Sequence, residues 1–265
     1  MQCEKDNDIK IEKNEYFEML ACISLGHRTE QQDSLGYQID NDSGIFIICD
    51  GMGGYQGGKR ASTSAVMNIL EIYKQKQSTF FDVNEMKQAL VTANDKIWDF
   101  KKDQNELSMA GTTCVFVYIN ENKMNWCSVG DSRAYICRGD KNIQITQDHN
   151  YLTVLNGKLK EGYISQEEYL CEVPHGDNLI NYLGMQDINL IDYNSSPFNL
   201  KSGDRVVLMS DGLYKYVNES EVFNLLSKEN KPELIIQSLE EMAELGAKQK
   251  NIIRDNMSMI AILVK

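Results

Sequence analysis

Apolar runs of five to ten residues, separated by short polar turns, recur along the chain. They predict strands at 16–25, 35–39, 44–49, 112–119, 123–129, 133–138, 205–209 and 257–264. Two stretches change to helical spacing. Ala61, Ala65, Ile69 and Ile72 predict a helix over 57–77, and Met86, Leu90, Ala93, Ile97 and Phe100 a second over 82–102. Two more helices are expected at 219–227 and 232–248, with Pro232 suited to a first helical turn. Strands with short turns, set between helix pairs, give an α+β fold built in antiparallel layers. The least regular part is 150–187. Within it Ser165-Gln166-Glu167-Glu168 reads as a capping box that opens a short helix, and the remainder as a surface flap over about 150–184. Residues 1–15 are polar and charged and read as a flexible leader. With three prolines and no Ser- or Gly-rich linker, residues 16–265 are expected to form a single domain.

The chain of 265 residues is 42% apolar, enough for a sizeable core and too much for a disordered chain. Its net charge of −12 disfavours nonspecific binding to nucleic acid or to an anionic membrane surface. Five of the seven cysteines (Cys22, Cys49, Cys114, Cys127 and Cys137) fall inside apolar runs without paired metal-type spacing. That pattern fits reduced, buried thiols, not a disulfide framework or a zinc site. No apolar run approaches the roughly 18 residues of a membrane span, and residues 1–14 do not resemble a signal peptide. A cytoplasmic monomer with no nucleic-acid or membrane partner is the expectation.

The candidate chemistry lies where the strands stop. One apolar run ends abruptly at Asp50, and three of the next four residues are Gly51, Gly53 and Gly54, so the backbone can approach a ligand closely. The Asp50 carboxylate and Gly51 carbonyl are adjacent hard oxygen donors, which suit Mg²⁺ or Mn²⁺. Asp33, Asp131, Asp211 and Asp255 share that setting, each in a turn at the start or end of an apolar strand. Any one of them alone reads as a turn or cap residue. Converging from one side of a sandwich, such carboxylates would repel one another and require bound cations. Aspartates without thiols and with few histidines favour Mg²⁺ or Mn²⁺ over zinc.

Seven short motifs occur in order: Arg28-x-x-x-Gln32-Asp33-Ser34, Asp50-Gly51-Met52-Gly53-Gly54, Gly111-Thr112-Thr113, Gly130-Asp131-Ser132-Arg133, Thr146-x-Asp148-His149, Ser210-Asp211-Gly212 and Asp255-Asn256. Together they resemble the metal-dependent protein phosphatase 2C family, in its bacterial form, from about residue 16 to 265. The resemblance implies a central antiparallel β-sandwich flanked by helix pairs in four α-β-β-α layers. It also implies two Mn²⁺ or Mg²⁺ ions and hydrolysis of phosphoserine or phosphothreonine in proteins. By this resemblance Asp50 bridges both ions with the Gly51 carbonyl on one of them, and Asp211 and Asp255 complete the first ion's protein ligands. Asp33, with Gln32, holds metal-bound waters. Arg28 grips the substrate phosphate, because a guanidinium fork matches two phosphate oxygens. Two cations about 4 Å apart lower the pKa of a bridging water, whose hydroxide attacks phosphorus in line without a protein nucleophile. Phosphorylated proteins and a cognate Ser/Thr kinase are the implied signalling partners.

Three departures from the family pattern stand out. Met52 replaces a histidine that many eukaryotic relatives carry, as bacterial relatives commonly do, and His27, His149 and His175 read as structural. Lys215 stands where the family often has an aspartate that helps Asp131 hold a third ion, so a third site is expected to be weak or absent. Gln31 stands where asparagine is usual, a tolerated change at a position that is not a direct ligand. The competing readings are a pseudophosphatase binding module of the same fold and another two-metal hydrolase such as a phosphodiesterase. Retention of Arg28, Asp50, Asp211 and Asp255 argues against the first, and the lack of His-rich metal motifs against the second.

Overall fold

Most strands of this chain are apolar on both faces, which is the pattern of sheets covered on both sides. The computed structural model describes residues 8–54, 57–76, 80–102, 109–229 and 231–265. In chain order the first elements are β1 (Asp8–Lys13), β2 (Phe17–Ser24), β3 (Ser34–Ile39), β4 (Ser43–Cys49), β5 (Gly51–Met52), α1 (Gly57–Gln75) and α2 (Val83–Lys102). Then come β6 (Gly111–Thr112), β7 (Cys114–Asn120), β8 (Lys123–Val129), β9 (Arg133–Arg138), β10 (Lys141–Gln144), α3 (Tyr151–Lys160) and α4 (Gln166–Glu172). The last are β11 (Asp192–Tyr193), β12 (Phe198–Asn199), β13 (Arg205–Met209), α5 (Asp211–Tyr214), α6 (Glu219–Lys228), α7 (Pro232–Lys250) and β14 (Met257–Val264).

The strands form two antiparallel sheets, one in the order β1-β2-β14-β13-β9-β10 and the other β11-β8-β7-β4-β3, with β12 also on β8. Alternation along each strand sends residues to different layers. Phe46 and Ile48 of β4 join Phe17, Met19, Leu208 and Ile260 between the sheets, while Ile45, Ile47 and Cys49 pack under α1 and α2. On the other sheet Cys22, Tyr135, Met209 and Met259 pack outward against α6 and α7. Phe17 meets Phe46 edge-on across the sandwich at 5.6 Å, a contact of about 1 kcal/mol beyond its area. The result is the expected α-β-β-α layering. The cysteines at positions 22, 49, 114, 127 and 137 are all buried and free. Among the described residues no helix is long and apolar enough to cross a membrane.

The leader expectation is corrected from residue 8 onward. β1 pairs with β2, Ile9 opposite Cys22 and Ile11 opposite Leu20, and Ile9 packs against the outer core. Its two isoleucines alternate with charged residues, the period of an edge strand, and the charges keep that edge from pairing with another chain. Residues 1–7 lie outside the described residues. The flap is also more regular than expected. The predicted capping box is present, with Glu168 N–H donating to Ser165 Oγ at 3.2 Å and Ser165 N–H to Glu168 at 2.7 Å. It is preceded by α3, which the sequence reading missed and which Asn150 caps at Thr153.

α7 backs the edge of the sandwich that matters for function. Glu240 accepts from Ser24 Oγ at 2.7 Å and lies 3.6 Å from the buried Arg254 guanidinium, and Glu244 pairs with His27 at 2.9 Å. Gly246 lies so close to Tyr216 that a Cβ would sit 1.8 Å from its carbonyl oxygen. One helix thus braces three loops, those around residues 24–28, 214–216 and 254–255.

Candidate active site at the strand ends

Asp50 follows β4, and its backbone is clamped from three directions. Its N–H donates to Thr113 Oγ1 at 3.0 Å, and its carbonyl accepts from Thr113 N–H and Thr112 Oγ1, each at 2.8 Å. That is the work of the Gly111-Thr112-Thr113 motif. Gly51 must be glycine, since a Cβ there would lie 2.2 Å from Gly58 O and 2.5 Å from Gln32 O. Thr113 Oγ1 in turn bonds Ser132 Oγ at 2.7 Å, which hangs the Gly130-Asp131-Ser132 turn beside it. Arg133 follows, with a two-point fork on Asp148 at 3.1 and 2.6 Å and a second bond to Glu219 at 2.6 Å. His149 is buried and accepts the Gly130 N–H at Nδ1, so it has the structural role expected of it.

The other sheet contributes Asp211, at the first position of α5, and Asp255, just before β14. Gly212 and Asn256 bring these two segments together, because a Cβ on Gly212 would lie only 1.7 Å from Asn256 O. Asn256 also accepts from Gln32 N–H at 2.8 Å and donates to Leu25 O at 2.8 Å, tying in the Arg28 loop. Gln31, the tolerated departure, bridges Ser24 O and Asp33 N–H within that loop.

Arg28, Asp50, Gly51, Asp131, Asp211 and Asp255 all line one cavity of about 1020 Å³. Asp33 does not. It is 1% exposed beneath the cavity, where its Oδ2 accepts from Ser210 Oγ and Ser258 Oγ, each at 2.8 Å. Those serines adjoin Asp211 and lie three residues beyond Asp255, so Asp33 fixes both segments from below. The sequence reading missed the serines, although Ser210 was visible in the Ser-Asp-Gly motif. It also missed the cavity's other wall, Met109, Asp177, Leu179 and Tyr182, because only the folded flap brings 177–182 there.

The electrostatics of the cavity are those of crowded carboxylates. Burial, then the charge of Asp211, push Asp50 well above the usual range. Asp131 rises to about 7 for the same two reasons, Lys215 opposing, and burial raises Asp33 to about 7 against the two serine bonds. Two cationic side chains already sit on this wall. Arg28 lies 2.6 Å from Asp255, and Lys215 lies 2.8 Å from Asp211 and 3.4 Å from Asp177. Burial pulls the Lys215 ammonium down, but Asp211 and Asp131 outweigh it and its pKa is raised. Among the described residues no three His, Cys, Asp or Glu side chains close on a single point. The donors are nonetheless all hard oxygens, and divalent cations would relieve their repulsion.

These shifts set a pH dependence. Asp33 and Asp131 titrate at about 7 in the folded chain and at about 3.9 unfolded. The folded state therefore holds protons that the unfolded state releases, and stability is lost as pH rises through 7. In chelator, Tm should be lower at pH 8 than at pH 5, and Mn²⁺ should restore it at pH 8. A Tm in chelator that is equal or higher at pH 8 would contradict this origin of the shifts.

Two packed antiparallel sheets between helix pairs, with carboxylates from both sheets lining one cavity, define a four-layer α-β-β-α fold with an acidic site of the kind that suits divalent cations. The chain belongs to the protein phosphatase 2C family, whose model, protein phosphatase 2C, matches residues 9–152. It is 30% identical over 208 residues to the protein phosphatase PhpP of Streptococcus pneumoniae, covering 76% of this chain and 80% of the relative. The Staphylococcus aureus serine/threonine phosphatase Stp1 has the same fold, with a TM-score of 0.77 at 23% identity, covering 99% and 98% of the two chains. So does the PstP catalytic domain solved with two manganese ions, with a TM-score of 0.73 at 22% identity over 94% and 98%.

Proposed function

We propose that this chain hydrolyses phosphoserine and phosphothreonine in proteins, using two Mn²⁺ or Mg²⁺ ions held by Asp50, the Gly51 carbonyl, Asp211 and Asp255. The observation that carries the reading is the single cavity where Arg28 meets carboxylates from both sheets. Bound there, the cations supply Lewis-acid activation of water and neutralise phosphate charge. Arg28 presents a half-exposed guanidinium fork at the cavity wall, suited to two phosphate oxygens. Asp33 keeps Asp211 and Asp255 in place through Ser210 and Ser258, and its hold on waters around the ions belongs to the same proposal. Phosphoprotein substrates, a cognate Ser/Thr kinase, a signalling role in the cytoplasm and a monomeric state complete it. Phosphate release from a phosphothreonine peptide should require Mn²⁺ or Mg²⁺ and stop on chelation. Phosphopeptide binding without turnover across both metals would instead support the pseudophosphatase reading.

Lys215 bears on the number of ions. Its ammonium stands against Asp211 and Asp177 and lowers the pKa of Asp131, supplying charge where a third cation would. Titration with Mn²⁺ should give two ions per chain. A third ion of micromolar affinity that disappears in Asp131→Ala would overturn this count.

A further inference from the structure

The cavity mouth is not uniform. On one arc Arg28 is paired with Asp255, and Lys215 with Asp211 and Asp177. Glu30 stands beside Gln32, whose amide donates to Gly54 O at 3.3 Å. The same mouth also carries a group of apolar side chains, next to Asp177 and Asn178 of the flap. A Cβ at Gly111 would lie 2.6 Å from the Tyr182 ring and 3.0 Å from Met52 Cε, so these three pack together. Gly53 lies against the Met109 backbone, 2.4 Å from its carbonyl oxygen on the same construction, and Leu179 completes the group. Met109 is 72% exposed, a large apolar side chain standing in water at the rim of a polar cavity.

We infer that the rim formed by Met52, Met109, Leu179 and Tyr182 is a specificity subsite that receives an apolar side chain next to the phosphorylated residue; this rests on the phosphatase reading above. A phosphoresidue that reaches Asp50 lays its flanking residues across the mouth. An apolar neighbour then covers the methionine and tyrosine surfaces, and methionine side chains adapt to varied shapes. An acidic neighbour loses this burial and meets Glu30 or Asp177, which also line the mouth. Flexible apolar contact without a fixed hydrogen bond selects a class of sequences, not one sequence.

Three phosphothreonine peptides, identical except for Leu, Lys or Glu beside the phosphothreonine, test the subsite alongside p-nitrophenyl phosphate, all with Mn²⁺. The wild-type chain should favour the Leu peptide over the Glu peptide by at least about tenfold in kcat/KM, with Lys clearly below Leu. Met109→Gln, which removes the apolar contact without adding charge, should shrink the Leu:Glu ratio several-fold, and Met109→Leu should preserve it. Equal rates for the three peptides would overturn the subsite while leaving the phosphatase standing. So would Lys matching Leu, since charge alone would then explain the preference, or an unchanged ratio in Met109→Gln. No hydrolysis of any peptide or of p-nitrophenyl phosphate would overturn the phosphatase reading itself, and the subsite with it.

Discussion

Asp211→Asn is expected to cut Mn²⁺-dependent phosphate release by about a thousandfold or more while leaving the fold intact. The two side chains have nearly the same shape, so the α5 start and its contact with Asn256 are kept. What disappears is the charge nearest the other donors. After burial, Asp211 is the largest influence raising both Asp50 and Asp131. Removing it weakens the ion-binding set, and it also relieves repulsion in the metal-free protein. Loss of the Lys215 pair at 2.8 Å opposes that relief, and the pair is partly solvent-screened, so metal-free stability should change by less than about 1 kcal/mol. Activity and stability should therefore separate, with turnover lost and Tm in chelator nearly unchanged. A variant that keeps a tenth of wild-type activity would remove Asp211 from the proposed machinery.

Gly212→Ala should do the reverse and damage the frame. The new methyl would lie 1.7 Å from Asn256 O and 2.7 Å from its carbonyl carbon, both of them backbone atoms that cannot swing aside. Relief requires α5 to part from the segment leading into β14, at a cost of roughly 3 kcal/mol or more. For a chain of this size that is a Tm drop of about 6–12 °C. Asp211 and Asp255 would separate too, so metal affinity should fall with stability. Gly157→Ala is the matched control. It lies in α3 with open space around the would-be Cβ, and alanine there should raise stability by about 0.5–1 kcal/mol. Equal Tm values for the two variants would refute the close-packing argument.

The strands were legible because burial on both faces makes each an unbroken apolar run, as in β4 and β14. Asp50, Asp131, Asp211 and Asp255 were legible as carboxylates at strand ends, but their meeting depends on how two sheets are stacked, which no local pattern encodes. Asp33 shows the limit at one residue. Its spacing marked it as belonging to the set, yet its place beneath the cavity on two serines is a matter of tertiary packing. β1 carried a readable signal in the alternation of Ile9 and Ile11, overshadowed by the charges between them. α3 was harder, because Gly157 and the exposed face of the helix blur its period. The Lys215–Asp177 pair could not be read at all, since it joins α5 to a flap whose path is set by the bridge of Asn150 to Leu179.

β14 is inserted between β2 and β13, and it enters its sheet two residues after Asp255. A nascent chain that has not yet reached residue 257 holds that sheet in two pieces, β1-β2 and β13-β9-β10, with their inner edges open. Pairing Phe17 with Val264 closes a loop of almost the whole chain, and such distant pairings form slowly. Asp255 takes its place beside the Asp211 segment only once β14 lies between β2 and β13, so the proposed metal site is completed late in folding.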